Sequence, residues 1–275
     1  QNEAEREAKK LVLLALFAAQ RTSRMGRMLL LLLSLGCFAH VCSCLDQLAA
    51  LLAMYDSAGG SMWNTKWDTN STDYCSFYGV ICDGTPTTNG TRNVVDLVLV
   101  GNGLTGVLDP SIGDLPALQY LVLSGNRLGG TLPTTIGRLS QLVELVMPGN
   151  RFSGVLPNVF HNLTNLVVFD ARGNWLTGPF PPSSMANCVS LRFIVLQSCG
   201  FTSLTSALGA LRSMLVLEMI GNGLSGTIPT ELGLASSLAE LILVNNRLSG
   251  PVPSTLGNLK SLRNLYLINN RLEGQ

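Results

Sequence analysis

Gly101-Asn-Gly103-Leu-Thr-Gly106 follows the strand-like run Val94 to Val100 and so matches G-x-G-x-x-G, the phrase that cradles a dinucleotide pyrophosphate at the start of a helix. The surroundings do not fit that chemistry. The same phrase returns as Gly221-Asn-Gly223-Leu-Ser-Gly226, and where a dinucleotide unit needs a long helix this chain places Pro110 and Pro116. Nucleophilic and metal chemistry is equally thin. There is no G-x-S-x-G elbow, P-loop or H-E-x-x-H, and the two histidines, His40 and His161, lie far apart in the chain. Carboxylates can cleave glycosides in pairs, but here the acids are spread one per repeat, as on a solvated face. The sequence therefore points away from an enzyme and implies no cofactor and no metal. A net charge of +1 gives no bulk attraction for nucleic acid.

The glycine phrase belongs to something larger. Leu118-Gln-Tyr-Leu121-Val-Leu123-Ser-Gly-Asn126-Arg-Leu128 recurs with its asparagine at Asn102, Asn126, Asn150 and Asn174, Cys199 in its place, then Asn222, Asn246 and Asn270. The steps are 24, 24, 24, 25, 23, 24 and 24 residues, a register that chance does not hold. The pattern L-x-x-L-x-L-x-x-N/C-x-L identifies leucine-rich repeats over residues 94–275, each placing one short strand on the inner wall of a horseshoe. No copy can bury its apolar face alone, so the stack is the folding unit. The asparagine is expected to turn inward and bond the backbone of adjacent coils, a slot that Cys199 fills only as a weak donor.

Gly106, Gly130, Gly154, Gly178, Gly226, Gly250 and Gly274 each fall four residues after the ladder position, and Pro133, Pro157, Pro181, Pro229 and Pro253 follow most of them. This N-x-L-x-G-x-x-P-x-x-[LI]-G phrase resembles the plant-type subfamily of leucine-rich repeats, seen in receptor kinase ectodomains, polygalacturonase-inhibiting proteins and some protist surface antigens. The fifth copy, from Cys199, lacks that glycine and proline; the subfamily pattern is broken there, and a change of curvature is expected. The fold class is thus an α/β solenoid, with parallel strands on the concave face.

A solenoid needs its first coil sealed. Leu45, Leu48, Leu51, Leu52 and Tyr55 recur at helical spacing over the start of residues 45–93, with Asp46 as the capping residue and Gly59-Gly60 as the stop. Trp63, Trp67 and Cys75-Ser-Phe-Tyr-Gly-Val-Ile-Cys82 then resemble the W…C-x-W-x-G-V-x-C amino-terminal cap of plant-type repeats, which implies a Cys75–Cys82 disulfide. A metal pair is the alternative, though neither a second cysteine pair nor a histidine lies near. Cys188 and Cys199 read as two buried thiols rather than a bridge.

Upstream, residues 25–44 read as a secretory signal peptide: Met25-Gly-Arg27, an apolar stretch to about Val41, and small residues near Ser43 and Cys44. A signal anchor is the rival reading. Residues 1–24 carry an apolar run too short to span a bilayer, and no structural role is assigned to them. A secreted or cell-surface location makes the sequons at Asn70, Asn89 and Asn162 glycosylation acceptors.

Side chains alternate along a strand, so the residues flanking the middle leucines face out of the concave wall. The first column reads Asp96, Tyr120, Glu144, Val168, Phe193, Val216, Glu240, Asn264, and the second reads Val98, Val122, Val146, Asp170, Val195, Glu218, Ile242, Tyr266. A third runs Val100, Ser124, Pro148, Arg172, Gln197, Ile220, Val244, Ile268. Acids outnumber bases, and Arg172 is the lone cation. Tyr120, Glu144, Asp170, Arg172, Phe193, Glu218, Glu240 and Tyr266 are the candidate ligand-binding residues, for a protein or peptide partner with apolar and basic groups. Valine is also a plain strand former, and any single column position is explained by propensity alone.

The chain stops in the middle of the eighth repeat, which implies a fragment or further repeats beyond. Membrane association through a later segment, or through an uncleaved anchor, is compatible with this. Two further functions follow from the resemblance: a secreted inhibitor of a cell-wall hydrolase, or the truncated ectodomain of a receptor kinase.

Overall fold

The computed structural model describes residues 41–84 and 92–274. The upstream segment, most of the expected leader and the sequon residue Asn89 lie outside the described residues. The chain divides into two units, Gln1–Asp46 and Gln47–Gln275, and of the first only the opening of helix α1 (Val41–Ser57) is described. The residues from Val41 onward are already helical, so Asp46 lies inside α1 and is not its cap, contrary to the sequence expectation. The reason is that nothing between Val41 and Asp46 breaks a helix. The stop is as expected: Gly59 takes a left-handed φ of 69°, which a side chain would resist.

The second unit is built from the concave wall outward. Strand β1 (Val80–Cys82) pairs antiparallel with β2 (Val94–Val98), and seven further wall strands follow in parallel, each three residues long, from Tyr120–Val122 to Asn264–Tyr266. They form one nine-stranded sheet. From β2 to the seventh of the parallel coils, each wall strand leads through a turn into a lateral strand and then a 3₁₀ segment on the convex side, such as Thr134–Arg138. Proline caps these segments at Pro133, Pro182, Pro229 and Pro253, where its fixed φ suits a helix start. The glycine that closes the repeat phrase has a steric cause. A Cβ at Gly137 would sit 2.4 Å from the Val159 carbonyl of the next coil.

The lateral strands make two sheets rather than one. Five run from Thr105–Val107 to Gly200–Leu204, and three from Ser225–Gly226 to Arg271–Glu273. The break falls at the fifth copy, where the register is also irregular between Phe201 and Ser203. That copy lacks the glycine whose left-handed turn recurs in its neighbours.

Leucines of the wall strands point inward and are fully buried, among them Leu97, Leu121, Leu145, Leu217 and Leu241. In the middle coils phenylalanines fill the space instead: Phe169 and Phe180 stack at 6.5 Å, and Phe180 meets Phe201 edge-on at 5.3 Å. The cap has an aromatic core of its own, with Tyr55, Trp63, Trp67 and Phe77 in contact at 4.9 to 5.6 Å. Cys75 and Cys82 form the disulfide that the cap resemblance implied, with Cα atoms 5.7 Å apart. Gln47, from α1, is buried and accepts a bond from the Val94 amide at 2.9 Å, which ties the cap to the first wall strand.

The asparagine ladder holds coil to coil. Asn150 Nδ2 donates to the Leu123 carbonyl at 2.8 Å, and its Oδ1 accepts from the Leu128 amide at 3.0 Å, both in the preceding coil. Asn126, Asn174, Asn222, Asn246 and Asn270 repeat this pair of bonds. Asn102 does the same toward the cap, taking the Thr65 amide at 2.7 Å and donating to its carbonyl at 3.0 Å. Cys199 keeps only the donor half, Sγ to the Ala171 carbonyl at 3.3 Å. Asn150→Ala is therefore expected to cost about 2–4 kcal/mol, by orphaning buried backbone groups, and Cys199→Ala no more than about 1 kcal/mol. Urea unfolding of the two variants measures the contrast.

Candidate functional site

The wall strands pair in the register that the columns required. Asp96 lies opposite Tyr120, Tyr120 opposite Glu144, and the line continues through Val168, Phe193, Val216 and Glu240 to Asn264. The second column aligns through the same pairs, from Val98 to Tyr266. The wall thus brings the candidate residues onto one surface, in rows about 4.8 Å apart per strand. Phe193 and Tyr266 are 38% and 44% exposed, and Tyr120, Glu144, Glu218 and Glu240 are half-buried.

One stretch of the first row stands out chemically. Val168, Phe193 and Val216 are consecutive and apolar, with Glu144 on one side and Glu240 on the other. Four strand steps separate the two carboxylates, about 19 Å. Glu218 adds a third carboxylate one row over, beside Ile242. Asn264 Nδ2 donates to Glu240 Oε1 at 3.0 Å and so orients it. Asp96 lies toward the cap end of the row, and burial raises its pKa.

Asp170 departs from the sequence expectation. It is only 7% exposed, and its carboxylate is taken by Arg172, with Nη2 to Oδ2 at 2.8 Å and Nε to Oδ1 at 3.1 Å. The Arg172 amide adds a third bond at 3.2 Å. These two residues are two apart on the same face, so they satisfy each other and offer a ligand neither a free acid nor a free base. The free charge of the wall is consequently negative.

Ile81 was not among the sequence candidates. It pairs with Asp96 and is 51% exposed, so β1 extends the first row into the cap. Val80 and Cys82 on either side of it are buried, so the residue between them faces out.

Other candidates fall elsewhere. Cys188 and Cys199 are free thiols, as expected; burial pushes Cys188 up to about 12 and also raises Cys199, so neither is a nucleophile at neutral pH. Asn70 and Asn162 are exposed, in the cap and on a convex 3₁₀ segment, both away from the wall. Among the described residues no cluster of three or more His, Cys, Asp or Glu is placed to hold a metal, and no helix is long and apolar enough to cross a membrane.

A disulfide-capped solenoid with an outward-facing parallel wall defines a repeat protein built to present surface. Family models described as leucine rich repeat match residues 92–152 and 237–259, and one described as leucine rich repeat N-terminal domain matches residues 44–83. No curated protein matches the chain. Among solved structures, the PEPR1–AtPEP1 complex is similar at 30% identity and a TM-score of 0.71, over 84% of this chain and 32% of that one. The ectodomain of the plant membrane receptor kinase GASSHO1/SCHENGEN3 from Arabidopsis thaliana, in complex with CASPARIAN STRIP INTEGRITY FACTOR 2, is 31% identical with a TM-score of 0.66, over 84% of this chain and 30% of that one. The ectodomain of the receptor kinase SOBIR1 from the same plant is 30% identical, with a TM-score of 0.53, over 76% of this chain and 97% of that one. The chain belongs to the leucine-rich repeat family, with the amino-terminal cap of that family. It spans about a third of the length of the first two of these proteins.

Two predictions concern the charges. Arg172→Ala is expected to lower stability by about 1–2 kcal/mol, because the nearly buried Asp170 carboxylate loses its partner while half of the arginine is already solvated. Chemical denaturation at neutral pH checks this. Asp96→Asn should raise the melting temperature slightly at pH 7, where the native carboxylate is charged against its raised pKa. The gap should close as pH falls through the carboxylate range, since both forms are then neutral.

Proposed function

We propose that the protein is an extracellular or cell-surface recognition module whose concave wall binds a protein or peptide with basic and apolar groups. One observation carries this reading: the apolar run Val168, Phe193 and Val216 lies between Glu144 and Glu240 on a single aligned row. An aromatic anchor beside half-buried carboxylates supplies both contact area and charge selection. An extended peptide rises about 3.3 Å per residue, so a ligand lying along the row spans the two carboxylates with basic side chains about six residues apart.

Two further facts support the setting. The Cys75–Cys82 disulfide suits an oxidising compartment, and glycans on Asn70 and Asn162 would leave the wall open. Similar ectodomains belong to membrane receptor kinases, one of them in complex with a named factor. The proposal concerns recognition by this segment alone, without an enzymatic role.

The test uses a nine-residue synthetic peptide with lysine at its first and seventh positions and leucine and phenylalanine between them. Glu218→Lys combined with Glu240→Lys should weaken its binding by about tenfold to a hundredfold while leaving the melting temperature unchanged. Unchanged affinity in the folded double variant would contradict the concave-wall reading.

A further inference from the structure

The lateral face beside the wall carries the opposite charge. At the residue that follows the ladder position, five of the eight copies place Arg127, Arg151, Trp175, Arg247 and Arg271, all exposed, and the other three place glycine. The four arginines make no ion pair and no side-chain hydrogen bond among the described residues. Arg138 and Arg172, by contrast, are held by Asp114 and Asp170 at 3.0 and 2.8 Å. Within the lateral strands Glu273 is the only acid, and the remaining exposed positions are chiefly serine, threonine, glycine and valine.

The pairing sets the spacing. Arg151 lies opposite Gly129, two residues beyond Arg127, and Trp175 lies opposite Ser153, two residues beyond Arg151. Arg127, Arg151 and Trp175 therefore project from one face along a diagonal. One strand spacing and a two-residue offset put successive side chains about 8 Å apart, close to the about 6.7 Å between alternate side chains of an extended polypeptide. Trp175 is 62% exposed, which leaves a large ring uncovered at the end of the line.

A guanidinium fork takes a carboxylate through two parallel bonds, and an indole face takes an apolar side chain. We propose that this lateral face is a second docking surface, for an extended acidic polypeptide segment whose alternate carboxylates meet Arg127 and Arg151 and whose next apolar side chain covers Trp175. Such a segment is repelled by the wall and attracted by the lateral strands, so the two faces sort partners by charge. The proposal stands apart from the concave-wall reading and survives its failure.

The test titrates the full chain with a labelled peptide of alternating glutamate and serine ending in leucine. Two controls accompany it: a peptide of equal composition with its glutamates in one block, and a polyuronate. The alternating peptide should bind, and Arg127→Ser with Arg151→Ser should weaken it at least about tenfold. Trp175→Ser, which changes no charge, should weaken it about fivefold. Glu218→Gln with Glu240→Gln should not weaken it. No binding, or insensitivity to the arginine pair or to Trp175, overturns the proposal. Equal affinity for the blocked peptide or the polyuronate also overturns it, by showing bulk attraction alone.

Discussion

The ladder asparagine, present in every coil but the fifth, is the constraint on which the rest depends. Asn126 and its equivalents each satisfy an amide and a carbonyl of the preceding coil, so a coil's polar backbone is complete only when the next one is stacked on it. Leucine packing alone would allow neighbouring coils to slide. The side-chain bonds set a spacing and a register, and the wall columns inherit both. A recognition surface on such a wall is rigid without any packing of its own, which lowers the ordering cost of binding.

Charge is distributed over this scaffold in a way that packing does not demand. Outward wall positions hold Asp96, Glu144, Glu218 and Glu240, whereas the residue after each ladder position holds arginine in four coils. Asp170 and Arg172 neutralise each other at the centre of the wall, which sharpens the separation. Similarity to receptor ectodomains establishes the scaffold and leaves the ligand to these variable positions, since one fold serves many partners.

Much of this was legible in the sequence, because a solenoid turns one-dimensional periodicity directly into neighbour relations. The ladder, the wall columns, the free thiols and the disturbance at the fifth copy follow from spacing, and the cap and its disulfide from resemblance. What was not legible depends on geometry that does not repeat. The Asp170–Arg172 pair depends on which side chains two adjacent columns happen to carry in one coil, since no other coil places an acid and an arginine two apart on the wall. Ile81 joins the wall only because β1 runs antiparallel against β2, a pairing made once in the chain. Asp46 was misread as a cap because a capping-type residue there sits within a segment, helical from Val41 onward, that has no breaker before it.

Hydroxyl-radical footprinting of the full chain with the basic nine-residue peptide tests the central claim most directly, because exposed Phe193 and Tyr266 report on the concave wall and exposed Trp175 on the lateral face. Protection of Phe193, with Trp175 unchanged, is the result the concave-wall account predicts. Protection confined to Trp175 or to the convex side, or none at a saturating concentration, would contradict it.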